Sequence, residues 1–241
     1  MNIQIVSVCD QQIFNKTLDR VKETQKLFTK VNTNADILDP LIITYGPAAK
    51  IDDVFIQTSA IPVNKDNYSF YMSKVLHQHL TSDFALVVQY DSGIVNPDAW
   101  TDEFLEYDYI GAPWRELPHL TDFFGNSVRV GNGGFSLRSR KLQQITSQLT
   151  YPYPFPYPSQ DFFKEDVHMT CKIRHALENH GVKFGNLYIA NKFSAETGIK
   201  DKNKLPFGAH GTLYDELTGK TQTVSAMDLL NKKTFENLKL N

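Results

Sequence analysis

Three short stretches of this sequence carry residue types that can do chemistry. Gln89-Tyr90-Asp91-Ser92-Gly93 follows the apolar run Phe84 to Val88, and a carboxylate placed where a buried strand gives way to a loop can hold a divalent cation against a phosphate. The same aspartate can equally do no more than start the turn. Glu165-Asp166 opens a stretch with helical spacing. Acidic side chains there are favoured by the helix dipole without any function, yet a carboxylate fixed at a helix start is also suited to take a proton from a hydroxyl. His210 stands in a frame of Pro and Gly, Leu205-Pro206-Phe207-Gly208-Ala209-His210-Gly211, either as a solvated loop residue or as a ligand.

Two further stretches shape what surrounds these groups. Gly131-Asn132-Gly133-Gly134 precedes Phe135 and the basic Arg138-Ser139-Arg140-Lys141, which is expected to open a helix. It is neither a Walker loop nor a dinucleotide fingerprint. Three glycines in four residues let a backbone approach a ligand closely with its amides free, or else make a tight hairpin. In Tyr151-Pro152-Tyr153-Pro154-Phe155-Pro156-Tyr157-Pro158, proline at every second place removes amide donors and favours a semi-rigid extended strip.

The elements that must position these residues follow from the spacing of apolar side chains. Ile3, Ile5, Val6 and Val8 read as a strand, Leu18 to Phe28 as a helix, Leu41 to Tyr45 as a second strand and Val54 to Ile56 as a short third. Tyr68, Met72, Val75, Leu76, His79 and Leu80 recur at helical steps before the apolar strand Phe84 to Val88. Apolar strands separated by helices indicate a mostly parallel sheet covered on both faces. Ligands then bind beyond the strands' carboxyl ends, which places Ser7, Val8, Thr44 and Asp91 at the mouth of a site. Loops are expected to dominate 107–135 and 151–158, and helices to return around 142–149 and 163–180. No linker and no repeat divides the chain, so one α/β domain is expected.

Composition removes several classes of function. The 241 residues, 41% hydrophobic and 22% charged, suffice for a sizeable core. Lys and Arg number 25 against 27 Asp and Glu, a formal charge of -2. No global field therefore draws the chain to nucleic acid or to an anionic membrane. No apolar run approaches the roughly 18 residues of a membrane span, and the first ten residues do not resemble a secretory signal. A cytoplasmic location is expected. Cys9 and Cys171, far apart and without C-x-x-C spacing, exclude a disulfide framework and a thiolate zinc site.

In their order and spacing, Tyr107-Asp108-Tyr109-Ile110-Gly111-Ala112-Pro113-Trp114, Val130-Gly131-Asn132-Gly133-Gly134-Phe135-Ser136-Leu137-Arg138, Glu165-Asp166-Val167 and Leu205 to His210 resemble a family of glycosyltransferase-like domains of the GT-A type. The resemblance runs over about residues 1–212. It implies a Rossmann-like half (1–95) that holds a nucleotide-diphosphate sugar and a second half (96–212) that holds a glycan or other hydroxyl acceptor; the tail (213–241) lies outside the resemblance and is expected, from its apolar residues, to be helical. The resemblance implies a divalent cation, Mn2+ or Mg2+, on Asp91 and His210. The D-x-D motif of such enzymes is incomplete here, because Gln89 stands in place of its first aspartate. It further implies Asp166 as catalytic base of an inverting transfer, Gly133 and Gly134 near the donor sugar, and, on the aromatic character of Trp114, Tyr153 and Tyr157, an apolar platform for the acceptor. The aromatic strip can also simply brace the core. A sugar-nucleotide nucleotidyltransferase is the rival enzyme, and a catalytically inactive sugar-binding module the rival outside enzymes.

Overall fold

Strand β1 (Asn2–Val8) is buried almost throughout because its two side-chain sets serve two different cores. Ile3 and Ile5 point to one face and Val6 and Val8 to the other, the alternation of a strand with both faces covered. A computed structural model describes residues 1–64, 67–149, 164–196, 204–214 and 223–225. The aromatic strip with Tyr153 and Tyr157, and nearly all of the expected tail, lie outside the described residues.

Helix α1 (Phe14–Phe28) buries Thr17, Arg20, Val21, Thr24 and Phe28, and leads to β2 (Asp36–Thr44), the hairpin strand β3 (Ala49–Ile51) and β4 (Val54–Thr58). The next helical segment begins as α2 (Tyr68–Phe70), widens into a π turn at Tyr71–Val75 and tightens into a 3-10 turn at Leu76–Gln78. It brings Tyr71, Met72 and Leu76 onto the sheet face lined by Val6, Val8, Leu41, Ile43 and Val87. After β5 (Phe84–Val88) and the short β6 (Ser92–Ile94) come β7 (Tyr109–Pro113), β8 (Val130–Ser139) and α3 (Arg140–Gln148). Ser139 caps α3 by accepting the Leu142 amide at 3.0 Å. Helix α4 (Glu165–Val167) runs through a π turn, His168–Lys172, into α5 (Arg174–Asn179), and α6 (Leu187–Phe193) precedes β9 (Ser194–Ala195), β10 (Gly208–His210), β11 (Thr212–Tyr214) and β12 (Thr223–Ser225).

The large sheet has the order β3-β4-β2-β1-β5-β8-β7. Strands β4, β2, β1 and β5 are mutually parallel, whereas β3 and β8 run against their neighbours and β7 runs against β8. The α/β fold with helices on a central sheet is thus as expected, with antiparallel strands added at its margins. One face is filled by a ring cluster, Phe28, Trp100, Phe104, Phe135, Phe193 and Phe207. Each such ring contributes roughly 1.5–3 kcal/mol by leaving water.

Two expectations need correction. Loops do make up most of 107–135, but Tyr109–Pro113 is a strand and the glycine-rich string is not a loop either: it is the first half of a ten-residue, fully buried strand. Its neighbours β5 and β7 give its backbone a ladder on both sides, so the glycines answer crowding above and below the strand. Arg138 likewise does not open a helix. It lies inside β8, fully buried, and α3 starts two residues later. In the expected tail, Thr223–Ser225 pairs antiparallel with Thr212–Tyr214.

Candidate active site

Beyond β5 the chain makes a turn closed by the Ser92 amide on the Gln89 carbonyl at 3.1 Å. Asp91 sits inside this turn, so aspartate's turn-forming habit and its place at a strand end both hold. The turn is fastened to β8, because the Gln89 amide donates to the Gly134 carbonyl at 3.1 Å and the Ser92 hydroxyl donates to the same carbonyl at 2.8 Å. A second small sheet, β6-β10-β9, then lays His210 opposite Ser92. His210 Nε2 comes to 3.6 Å from Asp91 Oδ1, and the Gly211 amide donates to the Asp91 carbonyl at 3.1 Å. Asp91 and His210, 119 positions apart in sequence, therefore meet as expected.

Two partners of His210 escaped the sequence reading. Glu196 Oε1 stands 3.7 Å from Nδ1, and Gln89 Oε1 lies 3.1 Å from Nε2 while the Gln89 side-chain Nε2 donates to the Tyr68 hydroxyl at 2.9 Å. In this amide orientation His210 Nε2 carries the proton. Burial works against a charged His210, but Glu196, Asp91 and Asp166 outweigh it and raise its pKa above the ordinary value. A third unforeseen group is Arg20, buried on α1 and within electrostatic reach of Asp91. Its signal was a charge on an otherwise buried helix face.

Asp91 Oδ1 is buried and accepts no hydrogen bond among the described residues, so a hard oxygen donor is available at the place where a divalent cation is implied. His210 would add a second donor once Nε2 gives up its proton and its Gln89 partner, and the other positions of an octahedral shell would fall to diphosphate oxygens and water. Among the described residues no group of three or more His, Cys, Asp or Glu is arranged to hold a metal ion. Gln89 is the reason the pair is spare. It supplies an amide in place of a second carboxylate, and it occupies the His210 nitrogen that faces Asp91.

The other half of the site is Asp166. Its Oδ2 accepts the Gly133 amide at 3.1 Å and its Oδ1 the Val167 amide at 2.7 Å. Although partly open to solvent, the carboxyl is enclosed by protein. Burial first, and then the neighbouring Glu165, push its pKa up from 3.8 to about 7, against the pull of Val167, Arg138 and Gly133. Consecutive glycines of β8 make room for both halves. A Cβ on Gly133 would lie 2.7 Å from Glu165 Oε1 and 3.0 Å from Asp166 Cβ, and one on Gly134 would lie 2.1 Å from His210 Nε2. Since successive strand residues face opposite ways, Asp166 and His210 flank one strand at the rim of the sheet.

The remaining expected residues are less central. Ser7 and Val8 end β1 and Thr44 ends the adjacent β2, all three buried. Trp114 is half-buried against Gly131 and Thr170, whose hydroxyl donates to the Asp166 carbonyl at 2.7 Å, so the ring neighbours the turn that bears Asp166. Tyr153 and Tyr157 lie outside the described residues. No helix among the described residues is long and apolar enough to cross a membrane.

A family model described as "Protein of unknown function (DUF5672)" matches residues 50–210, a span that holds Gln89, Asp91, Gly133, Asp166 and His210. No curated protein matches the sequence. Among solved structures, an active-site mutant of LgtC aligns with TM-score 0.50 at 12% identity, over 99% of this chain and 97% of that one. A glycosyltransferase involved in the glycosylation of the major capsid of PBCV-1 aligns with TM-score 0.47 at 13% identity, over 98% and 100%. CMP:2-keto-3-deoxy-manno-octonic acid synthetase complexed with CTP aligns with TM-score 0.40 at 11% identity, over 100% of both chains. At such identities what is shared is the fold, and the likeness to LgtC shows it to be GT-A-like.

Proposed function

The chain belongs to the DUF5672 family of proteins of unknown function, and from that premise we propose that it is a glycosyltransferase, moving a sugar from a nucleotide-diphosphate sugar to an acceptor hydroxyl with inversion. The observation that carries this reading is the meeting, at the rim of one strand, of a proton-accepting carboxyl, Asp166, with the Asp91–His210 pair.

Such a transfer needs help at both ends. The acceptor hydroxyl is a poor acid, and the nucleoside diphosphate leaves with growing negative charge. Asp166 takes the hydroxyl proton as the oxygen attacks the anomeric carbon, while the bond from that carbon to the diphosphate breaks and its electron pair departs with the nucleotide. A base serves best when its pKa lies near the working pH, and the crowding around Asp166 moves it there. The amides of Gly133 and Val167 fix the carboxyl's direction. Asp91 and His210 would hold a divalent cation, Mn2+ or Mg2+, whose chemistry is to neutralise the leaving diphosphate. Ser7, Val8 and Thr44 line the strand ends on the donor side. Trp114, with Tyr153 and Tyr157, is assigned to the acceptor.

Incubation with a panel of nucleotide sugars and Mn2+ tests the reading, with release of nucleoside diphosphate as the expected result. Pyrophosphate released from a nucleoside triphosphate would identify a nucleotidyltransferase instead. Binding of nucleotide sugar without turnover, with or without acceptor glycans, would identify an inactive binding module.

A further inference from the structure

Glu165 and Arg138 form an ion pair at 2.9 Å with side chains 6% and 0% exposed. Burying two charges gives up so much hydration that such a pair adds little net stability over an apolar one. Its geometry shows another use. Arg138 spreads its donors over three acceptors: Nη2 serves both Glu165 Oε1 and the Gly133 carbonyl, at 2.9 and 3.1 Å, and Nε serves Ser136 Oγ at 2.9 Å. The Ser136 hydroxyl donates in turn to the Gly133 carbonyl at 2.9 Å. On the far side of that glycine, the amide points at Asp166. The Tyr109 ring lies 5.5 Å from the guanidinium carbon, and the Tyr109 hydroxyl donates to the Gly131 carbonyl at 2.7 Å. Meanwhile the Glu165 amide donates to Ser69 Oγ at 3.2 Å, tying the start of α4 to α2.

We propose that Arg138 and Glu165 are positioning residues for Asp166, Arg138 locking the Gly133 peptide and the first turn of α4 into one unit, and Glu165 supplying the fixed negative charge beside which Asp166 acts as proton acceptor. The proposal rests on the reading of Asp166 as the base. It accounts for a tandem of acids in which the two members have different roles: one is paired and buried, and the other is partly open to solvent. The groups facing Asp166 are Glu165 on its own helix, Arg138 from β8, Tyr68 from α2, Tyr109 from β7, Cys171 from the π turn and His210 from β10. Of these, Glu165 is the largest charged influence that raises its proton affinity, and Arg138 is the charged group that lowers it.

Side-chain carboxyl NMR of the 13C-labelled, ligand-free protein tests this, with the Asp166 signal assigned by its loss in Asp166→Asn. Native Asp166 is expected to titrate well above the ordinary aspartate range. Glu165→Gln should bring its midpoint down by about one unit or more, and Arg138→Gln should move it up by a similar amount. Unshifted midpoints in folded variants, or shifts of the same sign, overturn the proposal. Should either variant fail to fold, the native protein decides, because a native Asp166 midpoint near 3.9 removes the need for any tuning pair. The measurement involves no substrate. Opposite shifts in a protein that turns over no nucleotide sugar would therefore sink the transferase reading and leave the positioning intact.

Discussion

Gly133 and Asp166 are joined by a 3.1 Å hydrogen bond from the strand amide to the carboxylate, at a point where the glycine's missing side chain is what lets helix and strand approach. Gly133→Ala should therefore act on catalysis through distance. The added methyl meets Glu165 Oε1, Arg138 and Asp166 Cβ at 2.7, 2.8 and 3.0 Å, and the helix start must retreat. We expect a loss of about 1–3 kcal/mol in unfolding free energy and a fall in turnover of around 10², read by urea denaturation and donor consumption.

Asp166→Asn should reduce turnover by about 10² to 10⁴, the usual contribution of a general base, with nucleotide affinity by calorimetry nearly unchanged. Stability should move the other way. Because the folded-state pKa of Asp166 is raised, its contribution is fully present below the unfolded value and is lost as pH rises through about 7. The asparagine variant, neutral throughout, should melt higher than the native protein at pH 8 by an amount on the order of 1 kcal/mol, after allowance for solvent reaching the carboxyl. The difference should vanish near pH 4. Equal melting temperatures at both pH values would show that Asp166 is not perturbed.

On the proposed transfer, the rate of the native protein at saturating donor should rise with pH along a single acid limb as Asp166 ionises, and level off above about 7. A pH–rate profile flat from 5 to 8 would assign proton removal elsewhere.

Gln89→Asp should tighten Mn2+ binding. The substitution adds a carboxylate to the Asp91–His210 pair and frees His210 Nε2 from its amide partner. Asp91→Asn should abolish cation-dependent nucleotide binding, and His210→Ala should weaken it less. Calorimetry with and without Mn2+ reads all three, and identical nucleotide affinity in every case removes the cation from the site.

Trp114→Ala should raise the acceptor KM while leaving donor hydrolysis in place, since the ring stands beside the Asp166 turn and away from His210. The same split is expected for Tyr153→Ala and Tyr157→Ala. Lower melting temperature with an unchanged acceptor KM would make these rings braces.

Much of this arrangement was legible because strand ends announce themselves. The apolar runs at 3–8, 41–44 and 84–88 gave the parallel core, and Asp91 was visible as the first acid beyond it. The glycine string misled because its composition is that of a loop. Only the packing of Trp114, Glu165 and His210 against it shows why a strand would shed three side chains. Arg138 read as part of a basic helix start, since one residue of register decides whether it faces water or Glu165. In the sequence Gln89 is only the place of a missing aspartate, whereas in the fold it is a bridge between Tyr68 and His210. Glu196 carried no signal, as its meeting with His210 depends on how β9 and β10 lie side by side.

All seven strands of the large sheet are complete by Ser139, yet His210 belongs to β10 in the small sheet, 71 positions later. During synthesis the large sheet is therefore complete well before the group that faces Asp91 leaves the ribosome. A product ending after Ser139 and before Gly208 retains every strand of that sheet and has no His210. Assembly order thus separates the capacity to form the sheet from the capacity to bring His210 to Asp91.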